Sequence, residues 1–147
     1  MSTGYADHSD LLLELARTTL NIARKLQAYA HQNPDVVPLS PLESLLLMNI
    51  QQCPGVSPSD LANDLSLRSS NAAAALRGLV EKGLVERHSD PSDKRVIQLH
   101  LTLAARDSIM AVHRSWKSLL MQPNIPEEDL HAAVRVLCIL NSTLAEY

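Results

Sequence analysis

Apolar residues recur every three or four positions along most of this chain, and one short segment breaks the rule. Leu12, Leu15, Thr19, Ala23, Leu26 and Ala30 form a helical stripe. It predicts a first helix that starts near Ser9 or Asp10, either of which can cap it, and ends before Pro34. Val36–Leu39, between Pro34 and Pro41, reads as a linker. Ser40-Pro41-Leu42-Glu43 is a capping box with proline at the first helical position, and the helix it opens runs through Leu46 and Ile50 to Pro54-Gly55. Ser57-Pro58-Ser59-Asp60 repeats the signal for a short helix from Pro58 to about Leu65. After a tight connection at Ser66-Leu67, a fourth helix spans Ser69–Lys82, with Ala72, Ala75, Leu76, Leu79 and Val80 inward and Gly83 at a left-handed C-terminal cap.

The period then changes. Leu84–Ser89 suits a strand, Ser89-Asp90-Pro91-Ser92-Asp93 is turn chemistry, and from Arg95 the chain alternates, with Ile97, Leu99 and Leu101 on one face and Val96, Gln98 and His100 on the other. This predicts a β-hairpin with a charged tip, Asp93-Lys94-Arg95. A lone hairpin is marginal in water, so it must lean on helices. Thr102 can cap a long helix carrying Ile109, Val112, Trp116 and Leu119 that is broken at Pro123, and Pro126-Glu127-Glu128-Asp129 starts a last helix with acids at its positive end. Two helices joined by a few residues and followed at once by a hairpin are the order of a winged helix-turn-helix.

The first and last helices carry more apolar surface than one stripe. Leu11, Leu13, Leu20 and Ile22 widen the first, and Val136, Ile139 and Leu140 widen the last. A terminal helix apolar on several sides needs a second covering surface, and the simplest is another copy of the chain.

Composition narrows the function. The 147 residues include four aromatics, Tyr5, Tyr29, Trp116 and Tyr147, and no Phe. The core must therefore be aliphatic, and a single-strand nucleic-acid mode built on base stacking is disfavoured. The net charge of −3 argues against a generally basic coat, but Arg68–Arg95 holds six basic against four acidic residues. Cys53 and Cys138 share no metal or redox spacing, no basic leader precedes the first apolar run, and no stretch is long enough to span a bilayer; a soluble cytoplasmic protein is expected. Glycine-rich phosphate loops, nucleophile motifs and metal motifs are absent from the sequence, so neither catalysis nor a cofactor is expected. The one metal arrangement left open is a site assembled in space from His31, Glu43 and His113.

The segment from Leu39 to Thr102 resembles the multiple-antibiotic-resistance regulator (MarR) family. The resemblance is carried by Leu61-Ala62, Leu65, Ser69-Ser70-Asn71, Leu79-Val80-Glu81-Lys82-Gly83-Leu84-Val85, the wing signature Asp93-Lys94-Arg95, and Leu101-Thr102. The chain departs from the pattern at Arg68, where relatives usually have Ser, at Ala74, where a basic residue is common, and at Ala104, where Gly commonly follows the Leu-Thr pair. The resemblance implies a mainly α fold with a small β-hairpin wing: an N-terminal arm and linker (1–38), a winged helix-turn-helix (39–102) and C-terminal dimerisation helices (103–147).

It also implies a homodimeric regulator of transcription, a repressor by expectation, that binds a pseudo-palindromic operator in double-stranded DNA and is released by a small molecule. Ser69, Ser70, Asn71 and Ala73 would face the major groove, where Asn pairs with adenine and Ala packs on a thymine methyl. Arg95 with Lys94 would reach the minor groove, Asp93 would hold the Arg95 guanidinium, and Arg77 and Arg87 would meet phosphates. Capping alone would explain Ser69 and Ser70 equally well, and a solvated surface would explain Arg77 and Arg87. Effectors of the family are often aromatic anions held between arms and heads, which makes Met48, Met110, His113 and Trp116 candidates. No Cys lies in the first helix, so a peroxide-sensing thiol there is unsupported; Cys53 is the remaining candidate thiol, and Cys138 is expected to pack. The competing reading is a winged helix that binds protein without reading DNA, favoured by the acidic balance and the Ala72–Ala75 run.

Overall fold

The computed structural model describes residues 7–144. Six helices and one hairpin follow in the order α1 (His8–Ala30), α2 (Pro41–Gln52), α3 (Pro58–Asp64), α4 (Ser69–Glu81), β1 (Val85–Ser89), β2 (Ile97–Leu101), α5 (Leu103–Leu120) and α6 (Glu127–Leu144). Every expected element is present, and the differences lie at the ends. α1 begins at His8 rather than at a side-chain cap: the Asp7 carboxylate accepts a bond from the Ser9 hydroxyl (2.9 Å) and leaves the helix N–H groups uncapped. The second strand begins at Ile97, not Arg95, because Asp90 N–H donates to the Val96 carbonyl (2.9 Å) and Val96 N–H to the Asp93 carbonyl (2.9 Å). Those two bonds fold Arg95 and Val96 into the turn.

The start signals work as the sequence predicts. Ser40 Oγ accepts from Glu43 N–H (3.2 Å) while Glu43 Oε2 accepts from Ser40 N–H (2.8 Å), so the capping box is complete. Ser57 and Thr102 cap α3 and α5 through bonds from the N–H groups of Asp60 and Ala105, each 3.1 Å. At the end of α4, Gly83 (φ +69°) donates to the Val80 carbonyl and Leu84 to the Leu79 carbonyl, both 2.9 Å, closing a Schellman motif whose two leucines are buried. A Cβ at Gly83 would meet nothing within 4 Å, so only the left-handed backbone resists substitution. Gly83→Ala is expected to cost about 1 kcal/mol, measured by denaturant unfolding.

The core sits between α2, α3, α4, the hairpin and the start of α5. Its fully buried side chains, Leu46, Ile50, Leu61, Leu76, Leu79, Leu84 and Leu99, are all aliphatic. The hairpin leans on this core through β2, as a lone hairpin must. Strand register pairs Val85 with Leu101 and Arg87 with Leu99, and the turn after α2 adds a third backbone partner: Gly55 N–H donates to the Leu99 carbonyl (2.9 Å) and Leu99 N–H to the Val56 carbonyl (3.0 Å). The Val36–Leu39 linker is itself packed, with Val36 buried and Val37 N–H donating to Ser108 Oγ (2.9 Å).

The arms contrast with this core. Ala30 is the single buried residue of α1, and α6 buries none. Leu13 and Leu20 are 70% and 74% exposed and Val134 and Ile139 are 58% and 59% exposed, the apolar excess that the sequence pattern flagged. Cys138, expected to pack, is exposed in the single chain because α6 lacks a covering layer. Among the described residues no helix is long and apolar enough to cross a membrane.

Candidate nucleic-acid interface and effector cavity

α3 and α4 meet through a turn made by Ser66 in the left-handed region (φ +51°) and closed by Leu67 N–H donating to the Ala62 carbonyl (2.8 Å). The turn aims one face of α4 into the core through Ala72, Leu76 and Leu79, and leaves Ser69, Ser70, Asn71, Ala74 and Arg77 exposed. Ala73, expected outward, is half-buried; the outward small residue is Ala74.

Arg68 occupies the N-cap position without a side-chain bond. Capping therefore does not explain the two serines, whose hydroxyls make no hydrogen bond with the described residues. The first α4 N–H groups and these hydroxyls are available to an anion.

The wing tip is organised by a residue the sequence marked only as turn chemistry. Asp90 Oδ1 accepts from the N–H groups of Ser92 (2.7 Å) and Asp93 (3.1 Å), and Asp90 Oδ2 from the Gln98 amide (2.6 Å). These bonds, the one from Ser92 N–H foremost, hold its carboxyl below the usual carboxylate range. Asp93 does not clasp the Arg95 guanidinium as expected. Its Oδ1 accepts from the Arg95 backbone N–H (3.0 Å), because the tight turn brings that N–H, not the guanidinium, within reach. The result fixes where Arg95 leaves the backbone while its side chain stays free. Arg77, Arg87, Lys94 and Arg95 are all exposed, and none forms an ion pair among the described residues. Asp90→Ala is expected to loosen the tip, lowering DNA affinity in a gel shift while leaving the unfolding midpoint nearly unchanged.

A different cluster ties α4 to α2. Glu43, 8% exposed, accepts from Lys82 Nζ at both oxygens (2.8 and 2.7 Å), and Lys82 also donates to the Pro38 carbonyl (3.2 Å). Burial pushes the Glu43 carboxyl up, but the bonds from Lys82 and Ser40 outweigh it and the net direction is down. A Cβ on Gly78 would lie 2.5 Å from Glu43 Oε1, so this glycine makes room for the carboxylate. The sequence marks Glu43 as a cap and as a member of the open metal arrangement, not as the partner of Lys82; the unused signal was a glycine in the interior of α4, which costs stability unless something must come close.

Between α1, α2 and α5 lies a cavity of about 450 Å³, in the size range of small-molecule sites. Met48, His113 and Trp116 line it as expected, and Trp116 is fixed by its Nε1–H donating to the Leu26 carbonyl (3.1 Å). Met110 does not line it. Helical geometry turns Met110 away from the face shared by Ile109, Val112, His113 and Trp116, and it is 54% exposed. His31 and His113 both line the cavity, but Glu43 is spent on Lys82, so the three do not form the metal site left open by the sequence. Among the described residues no group of three or more His, Cys, Asp or Glu is placed to hold a metal.

Residues 39–97, the segment that builds this helix-turn-helix and most of its wing, match the model of the MarR family. Over that segment the chain is similar to the MarR family. The described residues follow the MarR winged-helix fold. Streptococcus pneumoniae FabT, solved in complex with DNA, superposes with TM-score 0.73 at 22% identity, over 95% of this chain and 99% of that one. The transcriptional regulator BldR of Sulfolobus solfataricus gives 0.61 at 26% identity, over 90% and 98%. A MarR transcriptional regulator of Methanosarcina mazei gives 0.69 at 17%, over 90% and 98%. The comparison with curated proteins gives no match. The MarR match ends at residue 97, inside β2, so the arms are related to these structures by fold and not by the family model.

Proposed function

We propose that this MarR-type chain is a DNA-binding transcriptional regulator, a repressor that binds a pseudo-palindromic operator as a homodimer and is released by a small molecule. The observation that carries the reading is the pairing of an α4 face with unengaged Ser69, Ser70 and Asn71 and a wing tip whose Arg95 is positioned by its backbone and unpaired. Ser69, Ser70, Asn71 and Ala74, the last in place of the half-buried Ala73, enter the major groove; Arg77 and Arg87 meet phosphate, and Lys94 and Arg95 reach the minor groove. FabT, similar in fold, is a protein solved on DNA. The arms, 1–38 and 103–147, form the dimer, and their exposed leucines and valines on α1 and α6 support this. Their outer residues, 1–6 and 145–147, lie outside the described part. Two recognition helices roughly 34 Å apart would then match half-sites one DNA turn apart. The effector occupies the cavity between arm and head, and release follows by linkage when it favours a dimer with the wrong spacing.

Footprinting on the DNA upstream of the chain's own gene tests the reading. Two protected half-sites related by a dyad are expected; uniform protection without a boundary would sink it. The outward Ala74 favours one other reading, a winged helix that docks a protein. That reading predicts no footprint at any salt concentration.

A further inference from the structure

We infer that the cavity between α1, α2 and α5 selects an uncharged lipophilic effector over an organic anion. The inference rests on the effector-release reading above and adds the chemical class of the ligand. No Lys, Arg, Asp or Glu lines the cavity, and its wall is nearly all carbon. Its unengaged polar groups are the Gln27 amide, the Ser44 hydroxyl and the rings of His31 and His113, none of which makes a hydrogen bond with the described residues. The indole N–H of Trp116, a natural donor for a carboxylate, is taken by the Leu26 carbonyl (3.1 Å). Ser108 Oγ accepts from Val37 N–H (2.9 Å) and keeps its own O–H as a neutral donor.

A carboxylate entering this space would leave water with no Lys or Arg to meet it and only the His31 and His113 rings as partners, and burying a poorly paired charge is far costlier than burying a hydrogen-bonded amide or hydroxyl. An amide, phenol or ketone on an apolar ring instead finds both donors and acceptors among these groups. Aromatic anions, the effectors implied by family resemblance, are thus the class this lining disfavours.

Trp116 is the only tryptophan of the chain and lines the cavity, so it reports occupancy directly. The full chain is titrated at neutral pH with 2-naphthamide and with 2-naphthoate, which share a ring system and differ in charge. The amide is expected to change Trp116 emission saturably and to bind at least about tenfold more tightly than the carboxylate. Val112→Phe, which fills the space, should abolish the response while circular dichroism stays unchanged. Met48→Lys, which puts an ammonium on the wall at a position already 38% exposed, should shift the preference towards naphthoate. Equal or tighter binding of naphthoate to the wild type overturns the inference and leaves the cavity as an effector site. Saturation by neither probe overturns it as well. Amide binding that leaves operator affinity unchanged supports the ligand class and removes effector release from the proposed function.

Discussion

Arg95→Ala is expected to weaken operator binding by about 2 kcal/mol, roughly thirtyfold, without changing the unfolding midpoint. Arg95 is exposed and unpaired among the described residues, so its removal breaks no internal contact. Under the proposed function the wing would carry much of the affinity, because α4 offers no cation at Ala74. Lys94→Ala should cost less, act evenly on all sequences and reduce the salt slope by about one, because a lysine on phosphate releases counterions without reading bases. Anisotropy titrations of both variants on the footprinted site and on a scrambled duplex separate these effects. Equal losses for Arg95→Ala on both duplexes would show that Arg95 only adds charge.

Lys82→Met is expected to be the largest stability effect, about 2 kcal/mol. Removing one partner of a fully buried pair costs roughly 3–5 kcal/mol. The figure is reduced here because the Lys82 side chain is 36% exposed, against 11% for Glu43. The variant leaves a buried carboxylate with only the Ser40 N–H, and it loosens the start of α2 against the end of α4. The pH dependence has a definite sign. The Glu43 carboxyl is held below its ordinary value in the folded chain, so its contribution is complete above the unfolded value, roughly pH 4, and is lost as pH falls through the folded value. The gap between wild type and Lys82→Met should therefore be wide at neutral pH and narrow in acid. A gap that stays constant from pH 7 to pH 3 would mean that lost packing of the lysine stem, not charge, is responsible. Both are read from urea melts at each pH.

What the sequence revealed follows the range of the interactions. Capping at Ser40, Ser57 and Thr102, the Gly83 turn and the alternation of β2 depend on neighbours within a few residues, and all are legible one residue at a time. The exposed excess on α1 and α6 was legible for the same reason, since periodicity counts apolar positions. The partners of Asp93 and Glu43 were not. Asp93 sits two residues from Arg95, but which N–H it accepts depends on how Asp90 folds the turn. Glu43 and Lys82 lie 39 residues apart, and only the packing of α2 on α4 brings them together. Met110 was placed in the cavity on residue type alone, and one helical position turned it outward.

The absence of a side-chain cap on α4 ties local structure to the proposed function. A Ser at position 68 would cap the helix and satisfy its own first turn. Arg68 does not, so the N–H groups and the hydroxyls of Ser69 and Ser70 remain free among the described residues. The chain forgoes about 1 kcal/mol of helix stability at the end of α4 that is proposed to meet phosphate.

The central claim, that this winged helix reads DNA sequence, is tested most directly by comparing its affinity for the footprinted duplex and for a scrambled duplex of equal length across a salt series. The account predicts a preference for the site of about a thousandfold or more. It also predicts that affinity for both duplexes falls steeply as salt rises, with Arg95→Ala reducing the preference. Equal affinity for the two duplexes at low salt would contradict it.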